Sequence, residues 1–105
     1  MIDSSRYEDI IASITGATAY KISGVASLSS VPGRKSRRRA PKSVQVVFKS
    51  DERVAIDIYV NAFSGVSVPD LSFDIQQIVK SEVESATRFK VSSVNIFITG
   101  IVFNQ

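Results

Sequence analysis

The chain has 105 residues, of which 44% are hydrophobic and 22% are charged, and its formal net charge is +3. This length and composition are typical of one small globular domain, so we expect residues 1–105 to form a single domain around one core. The sequence has no cysteine and no histidine. Disulfides, thiol nucleophiles, the usual zinc and haem ligands and imidazole-based catalytic triads are therefore excluded, and no cofactor is expected.

The sequence also lacks the features of a membrane or secreted protein. No run approaches the roughly 18 consecutive apolar residues of a membrane span. Residues Met1 to Asp9 contain no basic region followed by an apolar stretch, which a secretion signal would need. We therefore expect a cytoplasmic protein.

The first predicted element is a helix between Tyr7 and Ile22. Apolar residues recur there every three or four positions, as on one face of a helix, at Tyr7, Ile10, Ile11, Ile14, Ala17 and Ile22. Gly24 is expected to end this region in a left-handed conformation. The segment Ser23–Lys42 is rich in Ser, Gly and Pro, shows no sustained period, and is predicted to form a long loop.

Three strands are predicted from alternating apolar residues. Ser43–Lys49 and Arg53–Phe63 alternate on either side of a short polar turn, a pattern typical of a hairpin. Val91–Phe103 alternates in the same way and is expected to bend near Gly100.

A second helix is predicted between the hairpin and the last strand. Ser67 is a candidate N-cap, Pro69 suits the first turn, and Asp70 favours the positive end of the helix dipole. The apolar stripe that follows is Leu71, Ile75, Ile78, Val79, Val83 and Ala86.

The predicted order is therefore α-β-β-α-β. We expect an α+β fold of two layers, in which both helices pack on one face of a three-stranded sheet. The second strand, second helix and third strand form a crossover, so these two strands should be parallel and the sheet mixed.

The face of the sheet away from the helices, here called the open face, should carry a contiguous apolar patch. Simple alternation places Val47, Ala55, Tyr59, Phe63, Phe97 and Ile101 on it. Scattered apolar groups are ordinary on any protein surface. Aromatic and β-branched residues on adjacent strands, however, form continuous patches that mark association surfaces. We therefore interpret Val47, Tyr59, Phe63, Phe97 and Ile101 as a face for a protein partner or for self-association.

Several segments carry a resemblance to a known family. They are Val54–Val60, Gly65–Asp70, Val79–Glu84, Val91–Ile96 and Ile101–Phe103, together with Ala17–Ala26 at the exit of the first helix. In these segments the chain resembles the alkaline shock protein family of Gram-positive bacteria.

The resemblance implies a non-enzymatic role in envelope stress and cell-envelope homeostasis. It also implies a cytoplasmic protein that a membrane-integral partner can hold at the inner face of the membrane. It brings no catalytic residue to any position of this chain. The sequence departs from the usual pattern at Thr87-Arg88-Phe89 and in the loop before the first predicted strand.

A basic segment dominates the charge of the chain. Six of the thirteen basic residues lie in it, and the remaining sequence has seven basic and ten acidic residues, a net charge of −3. The six are Arg34, Lys35, Arg37, Arg38, Arg39 and Lys42. The segment is either simply solvated or contacts a polyanion, namely an anionic lipid surface, an acidic protein or a nucleic acid.

A nucleic-acid-binding domain that uses Arg34–Lys42 is the alternative function. It is the weaker hypothesis, because no aromatic residue between Val25 and Ser43 could stack on a base. The carboxylates of the second helix, Asp70, Asp74, Glu82 and Glu84, are interpreted as solvated groups and not as an acid–base or metal site.

Overall fold

The computed structural model describes residues 4–29 and 43–103, with side chains from residue 6 onward. Its elements are, in chain order, α1 (Ser4–Tyr20), β1 (Val25–Leu28), β2 (Val44–Phe48), β3 (Arg53–Phe63), α2 (Val68–Ala86) and β4 (Lys90–Val102). The predicted α+β class is confirmed. The three-strand count is wrong, because Val25–Leu28 lies within the predicted loop and forms a fourth strand in the described part of the chain.

Both ends of α2 follow from local chemistry. Ser67 is the N-cap, and its hydroxyl accepts a hydrogen bond from the Asp70 amide at 3.4 Å, while Pro69 occupies the first turn. At the other end the amide and the hydroxyl of Thr87 both donate to the Val83 carbonyl, at 3.0 and 2.8 Å. These bonds satisfy backbone groups that a helix end leaves without partners.

The long strand β3 is the centre of the sheet. β4 pairs with it in parallel along its whole length, from Arg53↔Lys90 to Phe63↔Val102. β2 pairs antiparallel with the first part of β3, and β1 pairs antiparallel with its last residues. Because a strand has two edges, β1 and β2 lie end to end along the edge that β4 leaves free. The sheet is therefore mixed, as predicted, and its width is three strands.

The core lies between one face of this sheet and the two helices. Side chains of β3 that alternate along the strand are fully buried there. α1 packs over β1 and β2, α2 packs over β4, and the helices contact each other. The main core residues are Ile11, Ala12 and Ala19 of α1, Leu71, Ile75, Val79 and Val83 of α2, and Val44, Val54, Ile56, Ile58, Val60, Ala62, Val91 and Val94 of the sheet.

The exit of α1 differs from the prediction. Gly24 does not take a positive φ; among the described glycines only Gly65 does, with φ of 83°. The chain instead leaves the helix through tight turns, in which the Ile22 amide donates to the Ala19 carbonyl at 3.1 Å and the Val25 amide donates to the Ile22 carbonyl at 3.0 Å. No left-handed residue is required because these turns redirect the chain into β1.

Candidate functional site

Two aromatic rings stand together at the middle of the open face. Tyr59 of β3 and Phe97 of β4 are direct partners in the parallel ladder. Their rings are stacked, with centroids 4.6 Å apart and planes 15° from parallel. The residues before and after each of them in its strand pack in or against the core, so Tyr59 and Phe97 point to the other side of the sheet. Their predicted location on the open face is confirmed.

Polar pairs flank the stacked rings on both sides along the strands. On one side the Asn95 amide donates to the Asp57 carboxylate at 2.9 Å. On the other side the Thr99 hydroxyl lies 3.2 Å from the Asn61 side-chain oxygen and 2.7 Å from the Ser29 hydroxyl. The Asn95–Asp57 and Thr99–Asn61 bonds join β4 to β3, and the Thr99–Ser29 bond reaches across β3 to the residue after β1. Together they hold the polar groups in place. The open face is thus an aromatic centre between two hydrogen-bonded polar borders.

Val47 and Phe63 also lie on the open face, but the polar pairs separate them from this centre, so the predicted contiguous patch is interrupted. Val47, on β2, is 39% exposed, and Phe97 is 41% exposed. Tyr59 and Phe63 are half-buried, and Ala55 is buried on the same side of β3. Phe63 lies opposite Val102, which is 40% exposed. The structure therefore brings Tyr59 and Phe97 into contact and places Phe63 at the end of the face and Val47 on the strand farthest from β4.

Ile101 is a correction to the predicted patch. The ladder between β3 and β4 shifts register after Val60, so that Gly100 lies opposite Asn61 and Ile101 opposite Ala62. Ala62 points into the core. Since paired residues share a face of the sheet, Ile101 lies on the helix side and Val102 on the open face. The bend predicted near Gly100 coincides with this register shift, which reverses the alternation that placed Ile101.

The six basic residues Arg34, Lys35, Arg37, Arg38, Arg39 and Lys42 lie outside the described residues. The described residues on either side of this segment both bond to one position. The Ser29 amide donates to the Tyr59 carbonyl, and the Tyr59 amide donates to the Ser43 carbonyl, each at 2.9 Å. The hypotheses of contact with lipid, acidic protein or nucleic acid through this segment stay predictions.

The described residues also bear on metal sites and membrane spans. Residues 4–29 and 43–103 contain no group of three or more Asp, Glu, His or Cys side chains placed to hold a metal ion. Neither of the two described helices combines the length and the apolar character that crossing a membrane requires.

Solved structures share this fold at low sequence identity. A single-substitution variant of MamM CTD aligns with a TM-score of 0.56 and 11% identity, over 90% of this chain and 98% of that one. A manganese form of MamM CTD aligns with a TM-score of 0.53 and 11% identity, over 88% and 96%. At this level of identity the likeness shows the fold alone.

Sequence relatives come from Gram-positive bacteria. The uncharacterized protein Spy1535 of Streptococcus pyogenes is 38% identical over 91 residues, which is 85% of this chain and 70% of that protein. The uncharacterized protein YqhY of Bacillus subtilis is 28% identical over 101 residues, 91% of this chain and 74% of that protein.

A family model described as having a cell envelope-related function matches residues 4–103, which include both helices and all four described strands. The match extends over almost the entire sequence and agrees with the resemblance in the segments quoted above. The chain therefore belongs to the alkaline shock protein 23 family.

Proposed function

We propose that this protein is a non-enzymatic interaction module for cell-envelope homeostasis, and that its open face docks a protein partner. The family supplies the link to the cell envelope. The observation that carries the docking role is the stacked pair of Tyr59 and Phe97, which leaves aromatic surface exposed on a rigid sheet. Aromatic side chains are enriched at protein interfaces because they bury a large area with few rotatable bonds.

The geometry of the face supports a protein partner of mixed polarity. The aromatic centre offers area for apolar burial, and the Asp57–Asn95 and Asn61–Thr99 pairs offer carboxylate, amide and hydroxyl groups at its borders. This arrangement resembles the apolar core and polar rim of protein interfaces. The cross-strand hydrogen bonds fix these groups before binding, which lowers the entropy lost on association.

A non-enzymatic role is proposed because the chain has few groups suited to catalysis. Without histidine or cysteine, acid–base chemistry would have to use carboxylates, Lys or Tyr. The described carboxylates with assigned partners serve structure: Asp57 accepts from Asn95, and Glu84 accepts from the backbone of Val91.

The proposed location is the cytoplasmic side of the membrane, where an integral-membrane protein is the partner. The basic segment Arg34–Lys42 would add a weak contact with anionic lipids, since each Lys or Arg near such a surface contributes about 1 kcal/mol. The described residues on either side of this segment, Ser29 and Ser43, both bond to the backbone of Tyr59 and so lie beside the docking face.

Affinity capture from a membrane-containing lysate of a Gram-positive host tests this proposal. The wild-type chain should retain an integral-membrane protein that mass spectrometry identifies. Tyr59→Ser should lose it, because the exposed ring stack is removed. Tyr20→Ser is the matched control, since Tyr20 is 62% exposed at the end of α1, away from the open face.

Thermal unfolding of both variants must first show that they fold. Equal retention of the membrane protein by wild type and Tyr59→Ser would contradict docking through the open face. Recovery of ribosomal or nucleic-acid-bound proteins in place of a membrane protein would contradict the proposed partner class.

A further inference from the structure

The outer edge of β4 is a pairing surface that the described part of the chain leaves mostly open. β4 pairs with β3 on one side, and no described strand pairs with its other side. In β3 the backbone amide of Tyr59 bonds to Ser43 and its carbonyl bonds to Ser29, both on the edge away from β4. Successive residues of a strand direct their backbone groups to opposite edges, so the amides and carbonyls of Ile58 and Val60 point toward β4. In a parallel ladder, Asn95 and Phe97 then bond inward, and the backbone groups of Val94, Ile96 and Ile98 point outward.

Side chains of α2 cover only the first part of this edge. The amide of Gln76 donates to the Val94 carbonyl at 2.9 Å, and the Glu84 carboxylate accepts from the Val91 amide at 2.8 Å. Both bonds use outward-pointing backbone groups. The amides and carbonyls of Ile96 and Ile98 come after the covered part of the strand and are not bonded by any described side chain.

After Lys90 the strand lacks two chemical features that discourage pairing, charge and proline. Residues 91–103 contain no charged side chain and no proline. Natural edge strands are usually protected by lysine, proline or a covering element, because an unprotected edge recruits other strands. An uncharged edge can also pair with the same edge of a second copy, because the pairing places no like charges next to each other.

Two exposed phenylalanines flank the open part of the edge. Phe97 lies on the open face at 41% exposure. Phe73 lies on α2, one turn before Gln76, and is 59% exposed. α2 runs antiparallel to β4, because Gln76 bonds to Val94 whereas the later Glu84 bonds to the earlier Val91. Phe73 comes one turn before Gln76 on the same side of α2, so it lies beyond Val94 in the direction of Ile96. The backbone amides and carbonyls of Ile96 and Ile98 therefore have Phe97 on one face of the sheet and Phe73 on the other.

We propose that β4 pairs with β4 of a second copy of this chain, antiparallel and about a two-fold axis at Phe97. In this register Ile96 of each copy forms a hydrogen-bonded pair with Ile98 of the other. Phe97 lies opposite Phe97 in a non-hydrogen-bonded pair, where side chains approach most closely. The result is one continuous sheet across both chains.

The ring geometry on the open face favours this register. The Tyr59 and Phe97 rings stack at 4.6 Å, which is close to the spacing of about 4.8 Å between neighbouring strands. Tyr59 covers the β3 side of the Phe97 ring, and the other side of that ring is directed toward the edge. A third strand at the same spacing would bring the second Phe97 into the stack, giving a row of four rings from one Tyr59 to the other.

Cysteine crosslinking tests the contact directly, because the chain has no cysteine of its own. Non-hydrogen-bonded antiparallel partners have Cα atoms about 4.5 Å apart, within the range of roughly 4.4 to 6.8 Å that a disulfide spans. Phe97→Cys with oxidised glutathione should become mainly a covalent dimer. Val47→Cys is the matched control, since its 39% exposure is close to the 41% of Phe97 and β2 lies on the opposite edge of β3. This variant should form little covalent dimer.

A charge pair at the same position tests the register without a covalent bond. Wild type should sediment as a dimer, and Phe97→Lys and Phe97→Glu should each sediment as monomers, because each places like charges together on the axis. Mixing the two variants should restore the dimer. Val102→Lys adds the same charge on the open face away from the axis and should remain dimeric.

Wild type that is monomeric at every concentration would overturn the inference. Equal crosslinking of Phe97→Cys and Val47→Cys would do so as well, and so would failure of the mixed Lys and Glu variants to associate. The inference does not depend on the proposed envelope role. A chain that forms the Phe97 contact but captures no membrane protein would keep the inference and remove the proposed function.

Discussion

Gly24 lies so close to Leu71 that a Cβ atom on Gly24 would be 2.9 Å from Cδ1 of Leu71 and 3.1 Å from Cγ1 of Val66. Leu71 is 3% exposed, in the first turns of α2. The absence of a side chain at Gly24 thus allows the chain leaving α1 to pass directly beside the start of α2. The position requires a small residue for space, and its backbone conformation is ordinary.

Gly24→Ala should therefore destabilise the fold. The added methyl group must displace the buried Leu71 side chain, and overpacking of this kind typically costs about 1–3 kcal/mol. The free energy of unfolding, measured by urea denaturation, should fall by an amount in this range. The double variant Gly24→Ala with Leu71→Ala should show that the two losses are less than additive, since the smaller side chain leaves room for the methyl. Full additivity would contradict the steric explanation.

Thr15→Val should stabilise the protein. Thr15 is fully buried in α1, and its hydroxyl has no hydrogen-bond partner among the described residues. Valine has nearly the same shape and removes an unsatisfied polar group, whose burial costs about 1–3 kcal/mol. We expect a higher urea midpoint with an unchanged slope. Thr15→Ser, which keeps the hydroxyl and removes the methyl, is the control and should lower the midpoint. A destabilised Thr15→Val would indicate that the hydroxyl has a partner.

Glu84→Ala should weaken the attachment of α2 to the start of β4. The Glu84 carboxylate accepts from the Val91 amide at 2.8 Å, and hydrogen bonds to charged groups contribute about 1.5–3 kcal/mol. Glu84 is half-buried, so we expect a loss toward the lower end of this range. Hydrogen exchange of the Val91 amide, followed by NMR, should become faster. Glu84→Gln retains an acceptor oxygen and should keep most of the protection; equal exchange in all three proteins would show that this bond contributes nothing.

Phe89→Ala should be strongly destabilising. Phe89 is 3% exposed, and its ring makes edge-to-face contacts with Tyr7 of α1 at 5.3 Å and with Phe48 of β2 at 5.4 Å. Truncation of a buried Phe costs about 3–5 kcal/mol. Calorimetry should show a large drop in Tm. Phe73→Ala, at a residue that is 59% exposed, should change the stability of the isolated chain by less than about 0.5 kcal/mol. Similar effects of the two changes would contradict the packing described for Phe89.

The sequence predicted the elements whose signals are local. Ser67, Pro69 and the apolar stripe predicted α2, and the cap bond from Asp70 to Ser67 confirms its start. The alternation in Arg53–Phe63 predicted β3 with its observed bounds. β1 was missed because four residues are too few for a period, and its only described ladder is with the distant end of β3.

The errors in the candidate site also arise from contacts between residues that are distant in the sequence. Ile101 was placed on the open face by strict alternation, and a bulge reverses that alternation between Ile98 and Gly100. Glu84 was interpreted as a solvated carboxylate, since nothing in the sequence indicates that its side chain reaches the Val91 amide. Tyr59 and Phe97 were placed correctly because both precede the bulge.

The two bonds at Tyr59 bring together the described residues on either side of residues 30–42, namely Ser29 just after β1 and Ser43 just before β2. Ser29 and Ser43 are held to the same backbone position, so the strands on either side meet whatever the chain between them contains. The entropy of closing such a connection grows only slowly with its length. A change in the length or charge of residues 30–42 should therefore leave the register of the described strands unchanged.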